Sequence, residues 1–355
     1  MDVVSLFSGI GGFEEGFKSS KLDTNVVFAS EIDKFAKLSY KTNFGLYPEG
    51  DIKKVHEFLI PDHQLLTAGF PCQSFSIAGK RLGFEDTRGT LFFDIARILD
   101  WKRPKFIILE NVKNLISHDK GKTIKRILTI LSEMNYSIDF KILNSKYIGT
   151  AQSRERIYII GILNYKKEKY ILDHQCNRKL NALKNEVNSC NNIKKFNFDI
   201  NTQENLSHVI KDIKENENSV DSKYYLNNIS TSDIKKIYTK EAVKDKGIIK
   251  LFDIPKSMHN DNERQRRVYS INGLAPTVLA RTDSAKILVE KNSHYLIRKL
   301  TPLECFRLQG FQDSFFYNLK KAGLSDSQLY KQAGNAVTIN VITSIANEVY
   351  KILGE

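Results

Sequence analysis

The sequence predicts an α/β fold: a parallel sheet covered on both faces by helices, followed by a second domain of different texture and a helix that closes the chain. Three observations carry this. Short apolar runs alternate with helical patterns from residue 1 to about residue 162, the mark of a doubly wound sheet. After Asn164 the texture changes: Asn and Lys become frequent, and no glycine occurs between Gly161 and Gly247. A helical pattern returns at Thr301, and residues 340–353 form an amphipathic segment with Ile342, Ile345, Val349 and Ile352 on one side. At 355 residues the chain exceeds one average domain.

Asp2-Val3-Val4-Ser5-Leu6-Phe7 reads as a buried strand, and Ser8-Gly9-Ile10-Gly11-Gly12 breaks it ahead of a helical run over 13–18. Glycines let the backbone approach a ligand at a helix N-terminus, so this is a candidate cofactor turn. It departs from G-x-G-x-x-G because Glu14 stands where the last glycine would be, which disfavours a dinucleotide. The next strand, Val26-Val27-Phe28-Ala29-Ser30, ends in Glu31, where nucleotide-binding folds place a carboxylate on ribose hydroxyls, roughly 20 residues past the turn. Asp51, in Gly50-Asp51-Ile52, is a second acid in the order expected for a nucleoside-bearing cofactor. Between them a helix is expected over 34–43.

The apolar run Leu65-Leu66-Thr67-Ala68 leads into Gly69-Phe70-Pro71-Cys72-Gln73-Ser74. This puts a cysteine on a proline-stiffened loop at a strand's carboxyl end, the edge that faces the ligand crevice in open α/β sheets. A lone cysteine is more often a buried structural one; the company this one keeps favours a nucleophile. After a helix over 91–99, the strand 105–109 ends in Glu110-Asn111-Val112. A carboxylate at a buried strand end is costly unless it is partnered or protonated. A helix over 123–134 follows, and Gln152-Ser153-Arg154-Glu155-Arg156 then enters the strand 157–162. Arginines at i and i+2 at a strand's start are expected on one face, suited to phosphate or a base carbonyl.

The second domain contains β-like pieces such as Gly247-Ile248-Ile249-Lys250-Leu251-Phe252, and its composition also allows a partly disordered segment. Thr301-Pro302-Leu303-Glu304 is a capping box with proline at the first helical position, starting a helix to about residue 309. The net charge of +13 and a pI near 9.3 suit a polyanionic partner. Four cysteines, at 72, 176, 190 and 305, show neither C-x-x-C nor Cys/His metal spacing and read as reduced thiols. No apolar stretch approaches a membrane span and no secretory pattern opens the chain, so a cytoplasmic protein is expected.

Taken in order, these motifs resemble the DNA cytosine-5 methyltransferase family of bacterial and phage restriction-modification systems. Phe7-Ser8-Gly9-Ile10-Gly11-Gly12 is similar to its S-adenosylmethionine loop, the Cys72 segment to its nucleophile motif, Glu110-Asn111-Val112 to its ENV motif and Gln152-x-Arg154-x-Arg156 to its QxRxR motif. Arg267-Val268-Tyr269-Ser270 with Pro276-Thr277-Val278-Leu279, and Gln332-Ala333-Gly334-Asn335-Ala336-Val337, resemble its last two blocks. The resemblance covers about 1–162 and 264–350, with Ala151 where the family usually has proline.

It implies a Rossmann-like S-adenosylmethionine-dependent catalytic domain whose first part is 1–164, a smaller, variable target-recognition domain inserted at 165–290, a hinge region at 291–331 and a segment, 332–355, that completes the catalytic domain, with methyl transfer to carbon 5 of a flipped-out cytosine in double-stranded DNA, without a metal. The implied catalytic residues are Cys72, Glu110, Arg154 and Arg156, the two arginines lowering the thiol's pKa, which is ordinarily ~8.5. Implied cofactor contacts are Phe7, Gly9, Gly11, Gly12, Glu31, Asp51, Ile52, Leu91, Asn335 and Val337. Gln73, Ser76, Arg264, Gln265, Arg267 and Arg281 are the expected DNA contacts: Arg264 or Gln265 fills the gap in the duplex, or Arg264 touches a phosphate, and Arg281 either reads a base, arginine being the commonest partner of guanine, or contacts a phosphate without sequence preference. A monomer paired functionally with a restriction endonuclease and associated with the nucleoid when on DNA is expected. An RNA-methylating offshoot and a catalytically dead DNA-binding relative stay open, although the insert favours duplex DNA and the intact motifs oppose the second.

Overall fold

The computed structural model describes residues 1–71, 91–172, 177–200, 202, 206–226, 228–237, 243–245 and 247–354. They form two compact units, one of residues 1–143, 155–201 and 342–355 and one of 144–154 and 202–341.

The first unit begins with β1 (Asp2–Leu6), α1 (Gly12–Lys18), β2 (Asn25–Ser30) and α2 (Lys34–Phe44). Asp33 starts α2 by accepting from the Phe35 and Ala36 amides, and Gly45, at φ 77, ends it by returning its N–H to the Lys41 carbonyl. There follow β3 (Leu65–Gly69), α3 (Leu91–Lys102), β4 (Phe106–Val112), α4 (Lys122–Glu133), β5 (Tyr136–Asn144), β6 (Glu155–Leu163) and α5 (Arg178–Asn188). The sheet has the order β2-β1-β3-β4-β6-β5. β1 pairs in parallel with β2 and β3, and β3 with β4, while β6 runs antiparallel to β4. This is the α/β, Rossmann-like architecture expected. Apolar residues of β1, β3 and β4 form the core with Ile95, Leu99, Ile124 and Leu128 of the covering helices.

Two features extend the sequence reading. β4 continues through Glu110 and Asn111 to Val112, because β6 supplies an antiparallel partner for each of them. The first unit also runs past the change of texture at Asn164: Tyr170, Leu180, Leu183, Val187 and Ile193 are buried in its core, and a buried Lys184–Asp139 pair at 2.6 Å ties α5 to β5.

The second unit contains α6 (Ile210–Ile213), α7 (Thr231–Ile237), β7 (Val243–Asp245), β8 (Ile248–Asp253), β9 (Arg267–Ser270), β10 (Lys286–Lys291) and β11 (His294–Lys299), then α8 (Pro302–Leu308), α9 (Asp313–Lys321) and α10 (Asp326–Asn335). Its sheet is β11-β10-β9-β8-β7, with β9 and β10 parallel and the other described pairs antiparallel. The expected capping box at α8 forms, Thr301 and Glu304 each serving the other's amide. The last helix, α11 (Ile339–Leu353), buries Ile342, Ile345 and Val349, and Thr343 Oγ1 donates to the Gly16 carbonyl of α1 at 3.0 Å. Among the described residues no helix is long and apolar enough to cross a membrane.

Candidate active site

In the first sheet β1 lies between β2 and β3, so the winding reverses between β1 and β3. Ligands bind at such switch points, outside the strands' carboxyl ends. The parallel strands β2, β1, β3 and β4 end on this edge, and antiparallel β6 starts there. Residues 7–12, 30–31, 69–70, 110–112 and 155–156 therefore gather on one edge although they span the first unit's sequence.

The turn after β1 takes three positive φ angles, at Phe7 (54), Gly9 (57) and Gly11 (91). The two glycines serve different ends. A Cβ at Gly11 would lie 2.1 Å from the Phe44 ring, whereas one at Gly9 would meet nothing within 4 Å, so Gly11 packs the turn and Gly9 keeps its outer side clear. The Ser8 amide donates to the Ser30 carbonyl at 2.9 Å. The Gly9 amide donates to Glu31 Oε2 at 2.9 Å, and Glu31 Oε1 accepts from the Asp33 amide at 2.8 Å. Glu31 thus shapes the turn, and each carboxylate oxygen still has a lone pair for a ligand hydroxyl. Beside it Ile32 is 75% exposed, an apolar side chain at the crevice that the sequence reading passed over because it looks only for charge after β2. Gly12 opens α1 and is buried.

Asp51 caps the short turn Ile52–Lys54 by accepting from the Lys53 amide at 3.1 Å. The Ile52 side chain belongs to the core. Its carbonyl, with that of Val55, accepts from Arg97 of α3 at 2.6 and 3.0 Å, and Arg97 also pairs with Asp94 and Glu57. Arg97 therefore fixes the segment carrying Asp51, a role no local motif signals. Leu91 begins α3 half-buried, as Phe7 is beside β1. Glu14, the residue that breaks the dinucleotide pattern, is buried under the turn and accepts from the Tyr40 hydroxyl at 3.0 Å. Burial pushes its carboxyl above the usual range, against hydrogen bonds from Ser5 and Tyr40.

At the next strand ends, Gly69 of β3 stands opposite Glu110 of β4. A Cβ on Gly69 would lie 3.6 Å from Glu110 Oε2, so the carboxylate sits over the strand that leads to Cys72. Arg156 Nε pairs with Glu110 Oε1 at 3.1 Å. Asn111, 2% exposed, donates from Nδ2 to the Phe70 carbonyl at 2.8 Å and accepts from the Val112 amide at 2.8 Å. It anchors the backbone two residues before Cys72, and was legible only as a member of its motif. Glu155 pairs with Lys113. Cys72, Gln73 and Ser76 lie outside the described residues.

Arg154 differs from its expectation. It precedes β6, so strand alternation does not align it with Arg156. Its guanidinium donates to the carbonyls of Val278 at 3.2 Å, Gly334 at 3.1 Å and Ala336 at 2.9 Å in the second unit. Gln152 acts with it, accepting from the Val278 amide at 2.7 Å and donating to the Leu308 carbonyl at 3.1 Å, while the Ala275 amide donates to Ala151 at 2.8 Å. Gly334 is required there, since a Cβ would lie 2.2 Å from the Ala280 amide nitrogen. Arg154 is a structural clamp among these segments, a role that the sequence reading did not assign to it. Asn335, exposed at the end of α10, and buried Val337 flank the same clamp.

Of the residues expected on DNA, Arg264 and Arg281 are exposed. Gln265 is half-buried and its carbonyl accepts from Lys286. Arg267 is engaged by Glu263 at 2.6 Å and Asp253 at 4.0 Å. No group of three His, Cys, Asp or Glu that could hold a metal occurs among the described residues.

A family model for C-5 cytosine-specific DNA methylases matches residues 1–351. The type II methyltransferase M.SsoII of Shigella sonnei is 39% identical over 353 residues, covering 99% of this chain and 80% of its own. M.HhaI of Haemophilus parahaemolyticus, also a type II methyltransferase, is 37% identical over 354 residues, covering 98% and 93%. The orphan methyltransferase M.SPRI of Bacillus phage SPR is 35% identical over 430 residues, covering 98% and 97%. Among solved structures, the Dnmt2 methyltransferase of S. pombe shares the fold with a TM-score of 0.69 at 19% identity, over 100% of both chains.

Proposed function

The chain belongs to the C-5 cytosine-specific DNA methylase family, and from that premise we propose that Cys72 is the nucleophile of a covalent mechanism acting on a cytosine turned out of duplex DNA. The enzyme is a DNA cytosine-5 methyltransferase of the bacterial and phage type, and its family uses S-adenosylmethionine. Bound there, that cofactor supplies a methyl group on a sulfonium. The turn fits a nucleoside-bearing group: Gly9 leaves its outer side clear, and Glu31 and Asp51 would hold its polar atoms.

Carbon 5 of cytosine is too weak a nucleophile to attack a sulfonium while the ring is aromatic. Addition of the Cys72 thiolate to carbon 6 breaks that aromaticity and moves the ring's electron pair onto carbon 5. Glu110 would hold the base at N3 and its exocyclic amine, and Arg156 fixes the Glu110 carboxylate at 3.1 Å. Carbon 5 would take the methyl group as its C–S bond breaks, the pair staying on sulfur and S-adenosylhomocysteine leaving; carbon 5 then gives up its proton to water, and elimination of the thiolate restores the ring. The base must first leave the stack, at a cost of a few kcal/mol. Filling of the gap by Arg264 or Gln265, and reading of a base by Arg281, belong to this proposal, as does protection of DNA from a partner restriction endonuclease.

The observation that carries the reading is the Glu110–Arg156 pair beside Gly69, with Asn111 anchoring Phe70, at the strand end that leads to Cys72. The test is transfer of a labelled methyl group to duplex DNA or to tRNA, with 5-fluorocytosine at the target. Wild type should form a denaturation-resistant adduct with DNA, and Cys72→Ser should lose turnover while retaining cofactor binding. An adduct that persists in Cys72→Ala overturns the assignment.

A further inference from the structure

Parallel pairing of β9 with β10, with Lys286 opposite Val268, makes the segments before these two strands leave the same end of the second sheet. One carries Arg264 and Gln265 in the turn Glu263–Arg266, the other Arg281 and Asp283. At the foot of the second, the Ser284 hydroxyl donates to the Leu300 carbonyl at 2.6 Å and the Leu300 amide to the Ala285 carbonyl at 2.9 Å.

Lys286 is 1% exposed. Its ammonium donates to the Gln265 carbonyl at 2.5 Å and to Asp283 Oδ1 and Oδ2 at 3.0 and 3.2 Å, so its partners lie on both segments. A buried ammonium carries a desolvation cost that a methionine of similar length would avoid, and such pairs are weak sources of stability. What the charge does supply is geometry, because it fixes the backbone at Gln265 and the carboxylate of Asp283 on one point.

We propose that Lys286 is a positioning residue for sequence recognition: it locks the segment bearing Arg264 and Gln265 to the one bearing Arg281, so that both meet a single stretch of DNA as a rigid set. The proposal rests on the reading of this unit as the recognition surface. Lys286, being buried, touches no DNA itself. Its removal therefore loosens discrimination without removing a phosphate contact, which separates it from an ordinary basic residue.

The test first identifies the methylated site by bisulfite sequencing of DNA from cells expressing the protein. It then compares kcat/KM on the target duplex with kcat/KM on duplexes altered at one base pair. Lys286→Met should keep its affinity for S-adenosylmethionine and the salt dependence of DNA binding. Its discrimination ratio should fall on the order of tenfold, the scale of one lost base contact. Asp283→Asn, at a half-buried position, should move the ratio in the same direction and carries the test if Lys286→Met does not fold. In an Arg281→Ala background, Lys286→Met should add less than it does alone. Unchanged ratios in Lys286→Met and Asp283→Asn overturn the proposal, as does a shallower salt slope in Lys286→Met. A wild-type protein that methylates tRNA, or DNA without preference, overturns the reading of the unit itself, and this inference with it.

Discussion

In the first unit Val3, Val4, Leu65, Leu66, Ile107 and Ile108 of three adjacent strands have no exposure, while in the second the fully enclosed side chains include the guanidinium of Arg298. Arg298 pairs with Glu217 through Nε at 2.8 Å and Nη2 at 2.9 Å, and with Glu304 through Nη1 at 2.8 Å and Nη2 at 2.7 Å. Glu304 also accepts from the Thr301 and Glu215 amides, both at 2.8 Å, and Glu217 from Tyr225 and Lys214. A parallel sheet covered on both faces supplies apolar strands that pack without further instruction. A sheet of short strands with less apolar surface uses paired charges that specify one arrangement. Sequence motifs are correspondingly dense at the strand ends of the first unit, and the second holds its shape through residues far apart in the chain.

The largest expected effect breaks this comparison at its centre. Arg298→Met strands two carboxylates and should cost about 3–5 kcal/mol of stability, read by urea denaturation. Ile107→Ala, its counterpart in the first unit, should cost about 2–5 kcal/mol through the cavity it leaves. An Arg298→Met protein as stable as wild type would show that the second unit does not depend on its charge network. Next in size, Glu31→Ala should weaken S-adenosylmethionine binding by about 1–3 kcal/mol, because the Gly9 and Asp33 amides lose their acceptor. Unchanged affinity by calorimetry would mean that the turn holds its shape without Glu31.

The smallest effects are those of pH, and they have opposite signs for Asp326 and Glu217 of the second unit and for Glu14 of the first. Asp326 is held well below its ordinary value of 3.8, since its hydrogen bonds with Lys223, Tyr224 and Lys320 outweigh its burial. Glu217 is likewise lowered, Arg298 overcoming its burial. A depressed carboxyl binds its proton more weakly when folded, so its stabilisation is present above the unfolded pKa and lost as pH falls through the folded one. Glu14 is raised above 4.5 by burial, so its folded form binds the proton more tightly, and stability falls as pH rises from 4.5 through the folded value. Denaturation midpoints followed from neutral pH to well below 3.8 should show a shallower acid-side fall in Asp326→Asn, and those followed upward from 4.5 a smaller loss in Glu14→Gln. Profiles identical to wild type would remove these groups from the linkage.

Where the sequence was readable, the signal was local. Continuous apolar runs bounded by glycine or charge marked β1, β2 and β3, and the capping box marked α8. β5 was also within reach, since Tyr136, Ile138, Phe140 and Ile142 alternate with polar residues, but buried Asp139 disguises it until Lys184 is seen beside it. Leu180, Leu183 and Val187 have helical spacing, yet the Asn- and Lys-rich composition around them drew attention to a boundary at Asn164. The pairing of Glu110 with Arg156 needed the direction of β6. The division of labour between Arg154 and Arg156, identical in type and two residues apart, needed the carbonyls of Val278, Gly334 and Ala336.

The sequence by itself determined the α/β fold, the order of its motifs and the family they belong to, because strand patterns and glycine turns depend on residues within a few positions of one another. Only the tertiary structure decided which charged side chains work together. Glu31 on the Gly9 amide, Arg97 on the carbonyls beyond Asp51 and Lys286 between two segments are contacts across 22, 45 and 21 residues. Buried polar groups must find partners wherever the fold brings them, and no local pattern encodes which partner that is.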